Sequence, residues 1–322
     1  MRHSRRTVLS AGLGLAGATL LRARPSRAAE VTFADDPFTL GLASGYPEPN
    51  AIVLWTRLAP QPLVPGGGVP PMPVAVDWEI GTDEALRSVV RRGTVYATPD
   101  WAHSVHVEVT GLSPARDYWY RFTSGGARSA IGRTRTAAAR GTLQNRLTLA
   151  VACCQHFEQG HYAAYRAIAE DAPDVVVHVG DYIYEGRGTS RVRTHEAPEC
   201  HSLEDYRQRY AIYKSDPHLQ AAHAAGPWML VSDDHEVAND YAGDHSAQFS
   251  PPELFLRRRA AAYQAYYEHL PLPRAMVPVD GRQSLYTSSA FGDLAAIFML
   301  DGRQYRSPQA CLPLPLIASG PA

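Results

Sequence analysis

The feature that most constrains the fold is a strand–helix–strand unit near the middle of the chain. Residues 147–152 and 174–179 are continuous apolar runs of strand length, and residues 160–171 between them carry apolar side chains at helical spacing. Continuous apolar runs indicate parallel strands that are buried on both faces, and parallel neighbours need a crossover of this length. The pattern predicts an α/β domain over residues 145–322, built on a mainly parallel sheet.

The rest of the chain divides in the same way. Residues 228–231 and 294–300 are predicted as two further strands of that sheet, and residues 203–215 and 253–270 as helices. Residues 30–138 instead carry short alternating runs, rich in Trp and Tyr, between turn residues. Such alternation is typical of a small antiparallel β-sandwich. We therefore expect an all-β domain followed by an α/β domain.

Residues 112–120 resemble the loop-to-strand segment of fibronectin type III modules. Tyr118 lies near the start of a predicted strand, where a tyrosine of such modules fixes a corner of the sandwich through its hydroxyl. The resemblance implies a fibronectin III-like sandwich. No constellation of catalytic side chains occurs in this region, so we interpret it as a packing module.

The first 28 residues show the order of features found in an export signal. Arg5 and Arg6 form a twin-arginine pair, and small residues around Ala28 offer a cleavage site. The apolar run between them spans 11 residues, about half of the roughly 20 needed to cross a bilayer. We predict a twin-arginine (Tat) signal peptide over residues 1–28, the Tat export machinery as a partner, and a periplasmic or extracellular location without a stable membrane anchor. An amphipathic or disordered arm is the alternative.

Removal of residues 1–28 changes the charge balance of the chain. Six of the 31 basic residues leave with this segment and none of the 32 acidic residues does, so 25 basic groups face 32 acidic groups and the net charge becomes −7. A surface of this sign offers no basic stripe to a nucleic acid. Nucleic acid is therefore not expected as a stable partner, and the oligomeric state is left open.

Polar residues gather where the four predicted strands of the second region end. The strands run into Cys153-Cys154-Gln155-His156, Gly180-Asp181-Tyr182, Asp233-Asp234-His235-Glu236 and Asp301-Gly302-Arg303. The ligand site of an open α/β sheet lies beyond the carboxyl ends of its strands, so we expect these residues to converge. Four converging ends that carry thiols, carboxylates and an imidazole favour a metal site over solvated loops.

These strings also carry a family resemblance. Residues 152–155, 178–185, 233–237 and 300–306 resemble the motifs of PhoD-like alkaline phosphatases and phosphodiesterases, which belong to the calcineurin-like metallophosphoesterase superfamily. Residues 40–47 also resemble this family, as do the twin-arginine signal and the sandwich. The resemblance extends from residue 1 to about residue 310. It implies an exported, metal-dependent hydrolase that releases phosphate from small phosphoesters, with Fe³⁺ and Ca²⁺ as cofactors and other divalent metals left open.

The resemblance implies a role for each candidate metal ligand. Cys154 would be a thiolate ligand and Tyr184 a phenolate ligand of a ferric ion, a donor pair that suits Fe³⁺ better than Ca²⁺ or Mg²⁺. Asp181 would bridge the iron to neighbouring Ca²⁺, and Asp234 would bind the second metal. The alternative for the thiols is that they are small buried residues at a strand end, and we assign that description to Cys153.

Two further residues receive roles by the same resemblance. His235 would hold or protonate a phosphoryl or leaving-group oxygen, with a structural histidine as the alternative. Arg303 would grip the phosphate through its planar guanidinium, with a surface salt bridge as the alternative. His178 lies inside a predicted strand and is interpreted as a core histidine.

The C-terminal region departs from the family pattern. The family closes its site with a later strand that ends in Gly-(Asp/His)-X-His, and here no histidine follows His269. We therefore expect the C-terminal part of the metallophosphatase domain to be missing. A truncated, inactive family member is the alternative to an active hydrolase, and an adhesive sandwich with a decaying appendage is a third. A disulfide between Cys200 and Cys311 is an option in an oxidising compartment.

Overall fold

The computed structural model describes residues 31–189, 192–248 and 250–308, so the predicted signal peptide lies outside the described residues. The strands of the first region are β1 (Leu42–Gly45), β2 (Ala51–Arg57), β3 (Val74–Gly81), β4 (Val89–Ala97), β5 (Ser104–Thr110), β6 (Asp117–Ser124), β7 (Ala127–Arg128) and β8 (Gly132–Arg135). The elements of the second region are β9 (Leu149–Ala152), α1 (Ala163–Asp171), β10 (Val175–His178), α2 (Leu203–Lys214), α3 (Pro217–Ala225), β11 (Pro227–Leu230), α4 (Pro252–His269), β12 (Thr287–Phe291) and β13 (Ala295–Met299).

One six-stranded sheet runs through both regions, in the order β5-β2-β1-β11-β10-β9. Strands β1, β11, β10 and β9 are parallel, whereas β2 and β5 continue the sheet in antiparallel fashion. The junction is the parallel pair β1–β11, in which Ser44 lies opposite Pro227 and Gly45 opposite Trp228. The all-β region and the α/β region are therefore not structurally separate domains, because they share this sheet.

Strand β2 shows how one sheet serves two cores. Successive side chains of a strand point to opposite faces. Leu54 packs in the core between the sheets of the sandwich, whereas its neighbour Val53 packs in the core of the α/β region. Trp55, on the same face as Val53, is fully buried, and its indole N–H donates to the carbonyl of Glu268 in α4 at 3.0 Å. The first region is thus anchored to the second by side chains as well as by backbone pairing.

The other sheet of the sandwich has the order β4-β3-β6-β7, and β8 also pairs with β6. At the start of β6, the hydroxyl of Tyr118 accepts a hydrogen bond from the Ser113 N–H at 2.8 Å. The expected tyrosine corner is present, and the succession of an all-β and an α/β region is confirmed. The finer likeness to fibronectin type III stays a prediction.

Local signals in the sequence account for the helix boundaries. Helix α2 begins with a capping box, in which Ser202 and Asp205 each accept the other's backbone N–H. Helix α3, which the sequence analysis missed, begins at Pro217 after Asp216, whose carboxylate caps the helix. Among the residues described, none of the helices combines the length and the apolar content needed to cross a membrane.

For two predicted strands, the expected environment was wrong. Strand β9 was expected to be buried on both faces, but it lies at the edge of the sheet, with Leu149 44% exposed and Val151 68% exposed. The strand predicted at residues 294–300 was expected in the parallel sheet. Instead, β13 forms an antiparallel two-stranded sheet with β12. An apolar run specifies that a strand has apolar faces, but it does not specify which neighbours cover them.

The sheet junction yields a first prediction. A Cβ atom on Gly45 would lie 2.5 Å from the Pro271 carbonyl oxygen and 2.8 Å from that of Trp228, and neither backbone atom can move without disturbing the sheet. We expect Gly45→Ala to lower the free energy of unfolding by about 1–3 kcal/mol, measured by thermal or urea denaturation. The control is Gly160→Ala, because Gly160 is extended and its Cβ would meet nothing within 4 Å. Equal stabilities of the two variants would contradict this account of the junction.

Candidate metal centre

The loops that follow β9 and β10 hold two candidate ligands in unusual backbone conformations. Cys154 has a φ of 53° and Asp181 a φ of 55°, in the left-handed region that residues other than glycine rarely occupy. Between β10 and Asp181, Gly180 has a φ of 112°, and a Cβ there would lie 2.5 Å from the Cβ of Asp233. Glycine therefore permits the β10 and β11 loops to approach closely. Strained backbone of this kind clusters at functional sites.

Glu236 fixes the same two loops against each other. Its carboxylate is buried, and it accepts the Tyr182 N–H at 2.5 Å and the Asp233 N–H at 2.8 Å. A buried carboxylate costs free energy unless hydrogen bonds satisfy it, so both contacts are strongly favoured. The result is that Asp181 and Asp234 face each other across the ends of β10 and β11.

Asp181, Asp234 and His235 form a group able to hold a metal ion. One potential ligand atom from each lies within 4.8 Å of the others. The Oδ1 atom of Asp181 is buried, and no hydrogen-bond partner for it exists in the described part of the chain. Burial raises the pKa of Asp234, and the adjacent Asp233 adds to that effect. A cation between these oxygens would satisfy the orphaned atom and relieve the repulsion, so the residues fit a metal with a preference for oxygen ligands.

Cys154 and Tyr184 both lie next to Asp181. The Tyr184 hydroxyl donates to Asp181 Oδ2 at 3.0 Å. Desolvation raises the pKa of the Cys154 thiol and of the Tyr184 hydroxyl above their usual ranges, and the negative charge of Asp181 contributes to both shifts. Both groups must lose a proton to bind a metal. The description of Cys153 as a buried residue was wrong, because Cys153 is exposed.

His235 is held by a carboxylate that the sequence analysis did not single out. Its Nδ1 lies 2.7 Å from Glu185 Oε2, and the other oxygen of the buried Glu185 accepts the Asn239 N–H at 2.6 Å. The Tyr184 ring packs on the imidazole at 4.2 Å. Burial opposes the charged imidazolium, but the hydrogen bond and charge of Glu185 outweigh it and raise the pKa of His235 to about 9. With Nδ1 engaged, Nε2 is the nitrogen left for the site.

His178 contrasts with His235 and confirms its interpretation as a core histidine. It is fully buried and stacks on Trp228, and burial lowers its pKa to about 3. Cys200 is a buried free thiol. Its suggested disulfide partner, Cys311, lies outside the described residues, so the pairing stays a prediction.

Arg303 reaches the metal group from the end of β13, although β13 is not part of the main sheet. Its guanidinium pairs with Asp233 at 2.6 Å, Asp234 at 3.1 Å and Asp240 at 3.7 Å. The residue is 9% exposed. Arg303 therefore forms salt bridges, as the alternative interpretation expected. They are buried rather than at the surface, and they involve three aspartates. The phosphate grip implied by the resemblance stays a prediction.

Four acidic residues of the site were missed as functional candidates. They share one signal, an acidic side chain within six residues of a predicted metal ligand: Glu185, Asp233, Glu236 and Asp240. Such a residue is often only a helix cap or turn residue. Their partners lie on other loops, so the sequence offered no means of separating these roles.

A cavity of about 340 Å³ opens beside the metal group, lined by His156, Tyr184, Glu185, Arg187, Glu199 and His235, among others. Its size suits a small polar substrate. A larger cavity of about 740 Å³ lies between β4 and β5 and is lined by none of the metal-group residues. We assign the chemistry to the smaller cavity, because it adjoins the carboxylates and the imidazole.

An α/β sheet with thiol, carboxylate and imidazole groups beyond its parallel strands defines a candidate metal-dependent enzyme centre. Comparison with known protein families identifies the family to which the chain belongs. The family described as PhoD-like phosphatase matches residues 149–320, and the PhoD-like phosphatase N-terminal domain matches residues 23–138. The chain belongs to the PhoD-like phosphatase family.

Individual relatives agree with this family assignment. Alkaline phosphatase D of Bacillus subtilis is 48% identical over 311 residues, which are 94% of this chain and 52% of that protein. A solved structure of PhoD matches with a TM-score of 0.85 and 49% identity, over 87% of this chain and 55% of that one. The fn3 domain of the human collagen alpha-1(XX) chain matches with a TM-score of only 0.22, which supports no argument. The chain thus spans about half the length of its curated relative.

The metal group yields a second prediction. A cation that binds only the folded state stabilises it, by about 2.7 kcal/mol at a hundredfold excess over its dissociation constant. We expect added Ca²⁺ to raise the melting temperature of the chelator-treated protein, and Asp181→Asn to abolish that rise. The control is Asp244→Asn, because Asp244 is exposed and its ion pair in the described residues is with the neighbouring His245. An unchanged response of Asp181→Asn would exclude Asp181 as a ligand.

Proposed function

We propose that this chain is an exported, metal-dependent phosphoester hydrolase of the alkaline phosphatase and phosphodiesterase type. The observation that carries the proposal is the grouping of Asp181, Asp234 and His235 at the strand ends, with Cys154 and Tyr184 adjacent to Asp181. The family assignment supports the reaction class. The twin-arginine motif supports export through the Tat machinery, and the substrate is a small phosphoester outside the cytoplasm.

The candidate ligands would bind two kinds of metal ion. Cys154 and Tyr184 would hold Fe³⁺, because thiolate and phenolate favour it over hard divalent ions. Asp181 and Asp234 would hold Ca²⁺, which prefers carboxylate oxygens as ligands. When bound, such ions neutralise phosphate oxygens and lower the pKa of water.

The chain's own side chains would then direct an in-line displacement at phosphorus. A water oxygen would form the new bond to phosphorus as the bond to the leaving-group oxygen breaks, and the proton that this water loses would pass to solvent. Because Glu185 holds His235 through Nδ1, the Nε2–H is placed to give its proton to the departing oxygen. Tyr184 limits rotation of the imidazole by packing against it.

The decisive experiment is an assay of the purified 322-residue chain with p-nitrophenyl phosphate and bis(p-nitrophenyl) phosphate, together with metal analysis. Hydrolysis with stoichiometric bound metal supports an active enzyme. A folded protein without hydrolysis at any added metal would favour the alternative, an inactive family member. The comparison of the two substrates also decides between monoester and diester preference.

The thiol ligand yields a third prediction. A ferric ion held by Cys154 and Tyr184 should give a charge-transfer band in the visible spectrum. We expect Cys154→Ser to remove this band and hydrolysis while circular dichroism shows a retained fold. Cys153→Ser is the matched control, because Cys153 is the adjacent thiol and is exposed, as Cys154 is. Loss of the band in Cys153→Ser alone would reverse the assignment of the ligand.

A fourth prediction tests the proton donor. General acid catalysis contributes about 10²–10⁴-fold, and poor leaving groups need it most. We expect His235→Gln to reduce kcat for an alkyl phosphate far more than for p-nitrophenyl phosphate, whose leaving group departs without a proton. Equal losses on the two esters would indicate that His235 binds metal or phosphate without acting as an acid.

A further inference from the structure

All three nitrogens of the Arg303 guanidinium contact protein oxygens. Binding of a phosphate group alone does not explain why the side chain is held by so many carboxylates. Its Nε and Nη2 atoms form a two-pronged contact with Asp233, at 2.6 and 3.3 Å. Its Nη1 lies 3.5 Å from the Tyr241 carbonyl oxygen and 3.7 Å from Asp240. Its backbone N–H donates to Asp301 at 3.0 Å, which fixes the start of the side chain.

The two aspartates of the metal group differ in how much they have left to offer a cation. Asp181 presents a buried Oδ1 that no group in the described residues contacts by hydrogen bonding. Asp234 has both oxygens engaged, with Oδ2 accepting the Asp240 N–H at 2.7 Å and Oδ1 lying 3.1 Å from Arg303 Nη2. A cation at Asp234 Oδ1 would therefore lie next to a guanidinium. Two positive charges at such a distance repel each other, strongly so where solvent is largely excluded.

We propose that Arg303 is a built-in counter-charge for Asp233, Asp234 and Asp240, and that it competes with a divalent cation for Asp234. The inference rests on the proposed metal centre and gives Arg303 a positioning role there. Without the guanidinium, Asp233, Asp234 and Asp240 would lose the cation that pairs with all three, and their charges would repel one another. A cation would then relieve more repulsion than it does in the wild type, and it would meet less opposition at Asp234.

The test compares Arg303→Gln with Arg207→Gln. Arg207 makes the same two-pronged contact with a carboxylate, to Glu268 at 2.6 and 2.8 Å. Within the described residues, the hydrogen bonds and ion pairs of Arg207 include no member of the metal group. The melting temperature is measured in chelator and during titration with Ca²⁺ alone. We expect Arg303→Gln to lower the melting temperature in chelator and to lower the half-saturating Ca²⁺ concentration by roughly tenfold. Arg207→Gln should lower the melting temperature equally with and without Ca²⁺.

A second variant covers the case in which Arg303→Gln fails to fold. Arg303→Lys keeps the charge but loses the two-pronged geometry, so we expect a Ca²⁺ response close to that of the wild type. Unchanged or weaker Ca²⁺ binding by Arg303→Gln would overturn the competition. So would a melting temperature and Ca²⁺ response that stay unchanged while inorganic phosphate binds more weakly, since that result identifies a phosphate clamp.

The proposed function can fail or survive independently of this inference. A wild type that gives no Ca²⁺ response overturns the competition at Asp234. If that protein nevertheless hydrolyses p-nitrophenyl phosphate, the phosphoesterase proposal stands and only the role of Arg303 falls.

Discussion

The carboxylate of Glu236 ties together the two loops on which the metal centre depends. It accepts one backbone N–H from the loop after β10, at Tyr182, and one from the loop after β11, at Asp233. The residues next to these two contacts are Asp181 and Asp234, so a single side chain sets the separation of both aspartates. Gly180 is the steric counterpart of this contact, because a larger residue would collide with Asp233.

The six-stranded sheet shared by the two regions also helps to fix the positions of these loops. Strand β11 lies between β10 and β1, so the loop that carries Asp234 rises from the interior of the sheet. The first region supplies β1, and the Tyr46 hydroxyl donates to the carbonyl of Leu230, the last residue of β11, at 2.6 Å. The sandwich therefore contributes to the position of the candidate metal group, whose members Asp181, Asp234 and His235 all lie in the second region. A packing role and a functional role are not distinct for this region.

Much of this organisation followed from local patterns. The strand–helix–strand unit and the helices at α1, α2 and α4 were predicted, because apolar periodicity acts over a few positions of the chain. The tyrosine corner was implied by the resemblance to fibronectin type III modules. The convergence of Asp181, Asp234 and His235 also followed, since the carboxyl ends of parallel strands meet at one edge. The environment of Glu185 did not follow, because its partner His235 is fifty residues away.

What the sequence by itself determined is therefore most of the elements, with α3 and β12 as exceptions, and the chemistry at the strand ends. Only the tertiary structure decided that β9 lies at an edge, that β13 pairs with β12, and that β1 joins the two regions. It also decided that Arg303 pairs with three aspartates. The physical reason is the range of the interactions: helix periodicity and caps are local, whereas strand order and ion pairing depend on which distant segments are neighbours in space.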